Sequence, residues 1–187
     1  MGADTFDIVV ICTGNRFRSP LVEHLLRRET AELPIEIESF GLLDAESLPV
    51  LPELEEHAAA AGVDVTEHRS RCVPQGSLAA VDLVLGFERR HVVHAVVKGR
   101  ARLERTFTLP ELVGLLEEAP AVPASGDVVA DWAAAIAAAA AARPEDPRRA
   151  RIPEVDDPIG RSPAEVAAIA ADLRSLTTRL AAALFPR

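Results

Sequence analysis

Three observations predict an α/β fold of three layers, a central four-stranded parallel sheet with helices on both faces. Short runs of aliphatic and β-branched residues alternate along the chain with segments of helical periodicity. The first run passes into a polar loop and then a helix start, the order of a strand-loop-helix unit. The 187 residues are 49% hydrophobic, enough for one sizeable core. Strands separated by helices pair in parallel, and the helices then cover both faces of the sheet.

Phe6 to Ile11 reads as a buried strand ended by Thr13-Gly14-Asn15. Leu21, Val22, Leu25 and Leu26 recur at helical spacing to about Thr30, with Ser19 placed to cap the helix and Pro20 at its first position. Ile35 to Ser39 is expected to be the second strand, and Pro52 to Ala61, closed by Gly62, the second helix. Val81 to Leu85 forms a third strand, followed by a helix from about Glu88 to Val97. Arg105 to Leu109 forms a fourth, leading into a helix from Pro110 to Glu118. Val166, Ile169, Leu173, Leu176, Leu180 and Leu184 mark a long amphipathic closing helix over Pro163 to Leu184.

The stretch from about 119 to 153 breaks this rhythm. Pro120, Pro123, Pro144, Pro147 and Pro153 surround an Ala-rich segment, Val128 to Ala142, of high helix propensity. It reads as an insertion within a single domain spanning 1–187: a lid, an oligomer contact or a surface decoration. Trp132, the only Trp, is expected to pack the inserted helix onto the domain.

Acidic residues outnumber basic ones 29 to 20, and the formal charge of -9 opposes binding to nucleic acid or to an anionic membrane. Met1 to Asp7 carries two acids and no base, and the following apolar run is short, so neither a signal peptide nor a membrane span fits. A cytoplasmic setting is the expectation. Cys12 and Cys72 are too few for a disulfide scaffold or a four-sulfur metal site. His24, His57, His91 and His94 form no convincing ligand set, so neither a metal nor a cofactor is expected. Cys72 reads as a small buried hydrophobe.

The chemistry concentrates in residues 12 to 20, Cys-Thr-Gly-Asn-Arg-Phe-Arg-Ser-Pro, between a buried strand and a helix start. Successive backbone N–H groups of Thr13, Gly14, Asn15, Arg16, Phe17, Arg18 and Ser19 can turn inward there, and the helix N-terminus adds positive potential, which makes a phosphate cradle. Gly14 permits close backbone approach, and Asn15 tolerates the left-handed conformation of a tight loop. Arg18 can hold two phosphate oxygens and stabilise the transferring phosphoryl group. Cys12, facing these donors, is expected to attack as the thiolate, and Ser19 can donate to its sulfur and ease its departure.

Cys12 to Pro20 resembles the signature loop of the low-molecular-weight protein tyrosine phosphatases, which usually read Cys-x-Gly-Asn-(Ile or Val)-Cys-Arg-Ser-Pro. Ser39 and Gly41 match a Ser-x-Gly segment of that family. His68-Arg69-Ser70-Arg71 matches a His-x-x-Arg segment whose His, with the upstream Ser, braces the loop Asn. Asp82 to Arg90 is similar to a further stretch, with Phe87 in place of Met, and Asp157-Pro158 matches the pair that supplies the general acid. The resemblance implies that Ser39 and His68 support the loop together with Asn15 and Ser19. It also implies that Cys12, Arg18 and Asp157 carry the reaction. A leaving alkoxide or phenoxide needs a proton and a phosphocysteine needs activated water, and one carboxyl can serve both steps. Asp156 competes for that role, but Pro158 restricts Asp157 to an extended backbone and so fixes its direction.

Several positions depart from the family pattern. Phe17 replaces the second loop cysteine, which removes one route to a protective disulfide and predicts irreversible oxidation of Cys12. Arg16 replaces Ile or Val; it favours an anionic substrate and disfavours the guanidinium of phosphoarginine. The chain has no Tyr, Ile159 follows Asp157-Pro158 where an aromatic is common, and Leu42 to Leu51 contains no Trp. The aromatic walls that hold a phosphotyrosine ring in that family are therefore missing here or supplied by Phe17 or Trp132.

The expected function is hydrolysis of a phosphomonoester through a phosphocysteine, on a phosphorylated protein or a small ester. Two alternatives are arsenate reduction with an external small thiol, since arsenate reductases share this fold and loop, and a non-catalytic phosphate-binding module. Oligomeric state is open.

Overall fold

The computed structural model describes residues 5–119, 124–144 and 152–186. The elements run β1 (Phe6–Cys12), α1 (Arg18–Glu29), β2 (Ile35–Gly41), α2 (Pro52–Ala60), β3 (Leu83–Gly86), α3 (Arg89–Val97), a single 3-10 turn (Leu103–Arg105) and β4 (Thr106–Thr108). They continue with α4 (Leu109–Glu118), α5 (Val128–Ala141) and α6 (Pro163–Leu184). The four strands form one parallel sheet in the order β2-β1-β3-β4. This is the expected three-layer α/β architecture.

The side-chain alternation of β1 explains the two layers. Ile8, Val10 and Cys12 face the main core, which also takes residues from α1, α4, α5 and α6. Val9 and Ile11 face the smaller cluster with Val84 and Ala95. Because β1 has β2 on one side and β3 on the other, the chain leaves its carboxyl end at the switch point of the sheet, where a crevice for ligand opens. Cys12 is the last residue of β1, paired in register with Gly41.

Four local expectations are corrected. The first helix starts at Arg18, so Ser19 and Pro20 lie inside its first turn and no side chain caps it. The reason is chemical: the Ser19 hydroxyl is engaged with the Cys12 sulfur, and Pro20 is tolerated because the first four N–H groups of a helix have no intrahelical acceptor. Strand β2 extends two residues beyond Ser39, to Gly41. Strand β3 begins at Leu83 because the Asp82 carboxylate accepts from the Asp7 N–H at 3.1 Å and from Arg105 at 3.0 Å. Strand β4 covers Thr106–Thr108, since Thr108 caps α4 by accepting from the Glu111 N–H.

The closing helix α6 has the expected bounds and is capped by a reciprocal Ser162–Glu165 box. In the Ala-rich segment, α5 buries Trp132, Ile136 and Ala139 in the main core. Trp132 stands edge-on to Phe6 and Phe185, with ring centroids 5.5 and 5.0 Å away. It packs the inserted helix onto the domain, as expected, and is no wall of a substrate pocket. Pro120, Pro123 and Pro147 lie outside the described residues. No helix among the described residues is long and apolar enough to cross a membrane.

Candidate active site

The loop from Cys12 into α1 is bent back on its own cysteine. The Asn15 N–H and the Ser19 hydroxyl both donate to Cys12 Sγ, each at 3.1 Å. Two donors thus converge on one buried sulfur. Asn15 takes the left-handed conformation, φ 53°, as its residue type predicts. Its side chain is fully engaged: Nδ2 donates to Ser19 Oγ at 2.9 Å and to Ser39 Oγ at 2.7 Å, and Oδ1 accepts from the Arg71 N–H at 2.9 Å. His68 Nε2 bonds the Asn15 carbonyl at 3.0 Å. The residues expected to support the loop, Asn15, Ser19, Ser39 and His68, are thus in one buried network.

The two glycines of the site differ in their protein surroundings. A Cβ on Gly14 would meet no protein atom within 4 Å, whereas one on Gly41 would lie 3.0 Å from Gly14 C and Thr13 O and 3.1 Å from Asn15 N. Gly41 is the bed on which the loop rests.

Arg18 is buried, with 1% of its surface exposed, although it is the first residue of a helix. Its Nη1 donates to Glu88 Oε1 at 2.6 Å and to the Val155 carbonyl at 3.0 Å. Its Nη2 donates to Thr13 Oγ1 at 3.1 Å and to the carboxylate of Asp157. The guanidinium also lies 5.6 Å from the centre of the Phe87 ring. Burial opposes ionisation of Glu88, but hydrogen bonds from Arg90 and Arg18 hold its carboxyl below the ordinary range, so Arg18 keeps an anionic partner.

The structure separates the two candidate acids. Asp157 Oδ1 accepts from the Ile159 N–H at 3.1 Å while its other oxygen meets Arg18. Asp156 points away to Arg161 at 3.0 Å, with 69% of its side chain exposed. Cys12, Arg18 and Asp157 together line a cavity of about 130 Å³. A larger groove of about 580 Å³ runs on the far side of residues 154–156 and does not include Cys12. The walls of the smaller cavity are aliphatic, with Leu43, Leu48 and Ile159 well exposed, and Phe17 beneath them is nearly buried against His57. Of the two alternatives the sequence left open, the aromatic wall is missing: Trp132 packs elsewhere, Phe17 is nearly buried, and these aliphatic side chains line the mouth instead. Arg16 lies at the same mouth, its Nε held by the Pro49 carbonyl at 2.7 Å.

Three participants were given no role in the site by the sequence: Glu88, the Val155 carbonyl and His91. The Glu88-x-x-His91 spacing is that of a capping box with His in the place of the acid, and that pattern is the signal that marks them. The fold also gathers Glu23, His24 and His68, whose ligand atoms lie within 4.8 Å of one another, a grouping their sequence separation hides. Both Glu23 oxygens are already bonded, one by Ser39 and the other by Arg27.

The family model of the low molecular weight phosphotyrosine protein phosphatases matches residues 7–118. Among curated proteins, the chain is 29% identical over 106 residues to the probable low molecular weight protein-tyrosine-phosphatase EpsP of Ralstonia nicotianae, covering 56% of this chain and 71% of that one. It is 33% identical over 86 residues to the low molecular weight protein-tyrosine-phosphatase Wzb of Escherichia coli K12, covering 46% and 57%. Among solved structures, it is similar to a mutant of YwlE from Bacillus subtilis, with a TM-score of 0.67 at 23% identity over 95% of this chain and 97% of that one. A low molecular weight protein tyrosine phosphatase from T. tengcongensis gives 0.67 at 22% identity, covering 94% and 97%. These structural likenesses concern the fold.

Proposed function

The chain belongs to the low molecular weight phosphotyrosine protein phosphatase family, and from that premise we propose that it hydrolyses phosphotyrosine in proteins through Cys12, Arg18 and Asp157. The observation that carries the assignment is the convergence of two donors on Cys12 Sγ beside a cavity that Arg18 and Asp157 share.

In this reading the Cys12 thiolate attacks phosphorus in line with the ester oxygen. The N–H groups of the loop from Thr13 to Ser19 and the Arg18 guanidinium bind the equatorial oxygens and stabilise the charge of the transition state. Asp157 protonates the departing phenoxide. The sulfur–phosphorus bond of the phosphocysteine then breaks as water attacks phosphorus; Asp157 takes the proton of that water, and Ser19 stabilises the leaving thiolate. The side chains of Asn15, Ser39 and His68 act on the loop's shape and touch no substrate.

The aliphatic mouth supports an aromatic ester. Leu43, Leu48 and Ile159 leave apolar surface that a phenyl ring can cover, and a short phosphoserine side chain cannot. Arg16 at the same mouth repels a second guanidinium, which supports phosphotyrosine over phosphoarginine. The family supports a phosphoprotein substrate, and the chain's acidic balance opposes a nucleic-acid partner. The test is a panel of phosphotyrosine, phosphoserine and phosphoarginine peptides assayed without added thiol or metal. Turnover of the first alone is expected; preference for either of the others overturns the substrate assignment.

A further inference from the structure

His91 is fully buried at the start of α3, and the residue before it in space has to be glycine: a Cβ on Gly86 would lie 2.7 Å from His91 Cβ. The Phe87 and Glu88 N–H groups both donate to His91 Nδ1, at 3.2 and 3.0 Å. A ring nitrogen that accepts carries no proton, so the neutral imidazole is protonated on Nε2. Nε2 faces Thr13 Oγ1 at 3.3 Å. The direction of this bond is therefore set, with the imidazole donating and the hydroxyl oxygen accepting.

Thr13 Oγ1 accepts a second hydrogen bond, from Arg18 Nη2 at 3.1 Å. Asp157 is the other partner of the same nitrogen, and in the proposed reaction it gains and loses a proton. Thr13 is the partner of Nη2 whose charge never changes. Its grip on Arg18 depends on where its oxygen is held, and His91 is what holds it.

We propose that His91 is a positioning residue for this phosphatase, a donor of single tautomer that fixes Thr13 Oγ1 and through it the Arg18 guanidinium. The inference rests on the assignment of Arg18 as the phosphate ligand. The charged groups facing the ring are Arg18, Glu88, Arg90 and Asp157, two of each sign. Burial outweighs them and keeps the imidazole neutral throughout the range in which phosphatases are assayed.

His91→Asn separates the two halves of the ring, because Asn Oδ1 stands where Nδ1 stood and can still accept from the α3 start, while nothing reaches Thr13. Thr13→Val removes the same bond from the other end and leaves the backbone N–H in the cradle. Each is expected to lower kcat/KM for p-nitrophenyl phosphate about tenfold, the scale of one hydrogen bond that supports a charged group. The double variant is expected to lose about tenfold as well, since both changes remove one interaction. Thr13→Ser should recover most of what Thr13→Val loses. Thermal unfolding midpoints, measured alongside, identify any variant whose fold has changed; were His91→Asn such a variant, the Thr13 pair decides alone.

Kinetics of His91→Asn within twofold of the parent overturn the proposal, as do effects that multiply to about a hundredfold in the double variant. A folded Thr13→Val with unaltered kcat/KM does the same. If the parent chain fails to turn over p-nitrophenyl phosphate, the phosphatase assignment fails instead. Calorimetric titration with inorganic phosphate then decides for His91, with severalfold weaker binding by His91→Asn supporting the role and equal binding overturning it.

Discussion

Arg18 and Asp157 are ion-paired on the wall of the pocket that opens over Cys12, through the guanidinium nitrogen that also reaches Thr13. The proposed phosphate clamp and the proposed proton donor are thus held one hydrogen bond apart by residues 139 positions away in sequence. Asp156, the neighbouring carboxylate, is tied to Arg161 on the outer face. Asp157→Asn is therefore expected to lower kcat by about a hundredfold or more on phosphotyrosine peptides, the scale of a lost general acid. The loss should shrink as the leaving phenol becomes more acidic. Asp156→Asn should change kcat by less than about threefold, as for an exposed pair. Steady-state kinetics of the two variants check the assignment, and equal losses would refute it.

At Gly41 strand β2 lies against the loop. A methyl group there would press on three backbone atoms of the loop, none of which can swing aside as a side-chain tip could. Gly41→Ala is expected to cost about 1–3 kcal/mol of stability, as overpacking does, and to lower kcat/KM by at least about tenfold through displacement of the Cys12–Asn15 contact. Denaturant titration and kinetics together measure both effects. Gly14→Ala, which meets nothing in the protein, should spare stability and impair only phosphate binding.

Acid should destabilise the fold before its carboxylates titrate. In an unfolded chain His91 titrates near pH 6.5, as any His does. In the fold burial above all, with the charge of Arg18 next, pushes it down to about 3. Between those values the unfolded chain binds a proton that the folded chain does not. Stability from this group is complete above about pH 6.5 and falls as pH drops towards 3, by about 1.4 kcal/mol per unit at the steepest. Burial lowers His68 and His24 in the same direction. Urea unfolding at pH 7 and pH 5 is expected to differ by about 2 kcal/mol from His91 alone, and His91→Asn should flatten that dependence. An unchanged slope in the variant contradicts the burial argument.

Oxidation should inactivate the chain permanently. Cys72 pairs with Gly41, and Gly41 pairs with Cys12 on its other side, so the two cysteines stand two strand spacings apart, roughly 10 Å. That exceeds the roughly 7 Å beyond which Cα atoms cannot be bridged without backbone movement. Burial and the nearby acids Asp44 and Glu46 also push the Cys72 thiol up, which makes it a poor partner. After peroxide treatment, mass spectrometry should find Cys12 carrying two added oxygens, no Cys12–Cys72 link, and no recovery with dithiothreitol. Phe17→Cys should restore part of that recovery.

The succession of strands and helices along the chain and the loop between the first two were legible in the sequence because both are local, whereas the order of the strands in the sheet was not. A β-branched run names β1, and a Cys, a Gly-Asn pair and an Arg-Ser-Pro end name the cradle. Ser39, His68 and Asp157 were recognisable by their likeness to a family, since nothing in their own spacing ties them to Cys12. Ser19 was misplaced as a helix cap because its residue type fits a cap and its sulfur partner lies seven positions earlier, across the bend of the loop. Glu88, Val155 and His91 were hidden for the same physical reason: their bonds to Arg18 and Thr13 exist only once the sheet sets α3 beside the loop. Chain separations of 70 and more leave no pattern to read. The aliphatic pocket walls were likewise invisible, because Leu43, Leu48 and Ile159 read as ordinary loop residues until their exposure is known.

The central claim is that Cys12 carries the phosphoryl group. Rapid acid quenching of the chain during turnover of p-nitrophenyl phosphate, followed by mass analysis of the peptide holding Cys12, tests it most directly. The mass of one phosphoryl group on Cys12 is expected, absent in Cys12→Ala and accumulated in Asp157→Asn, where its hydrolysis is slowed. An unmodified Cys12 during active turnover, or a Cys12→Ala variant that still hydrolyses the ester, would contradict it.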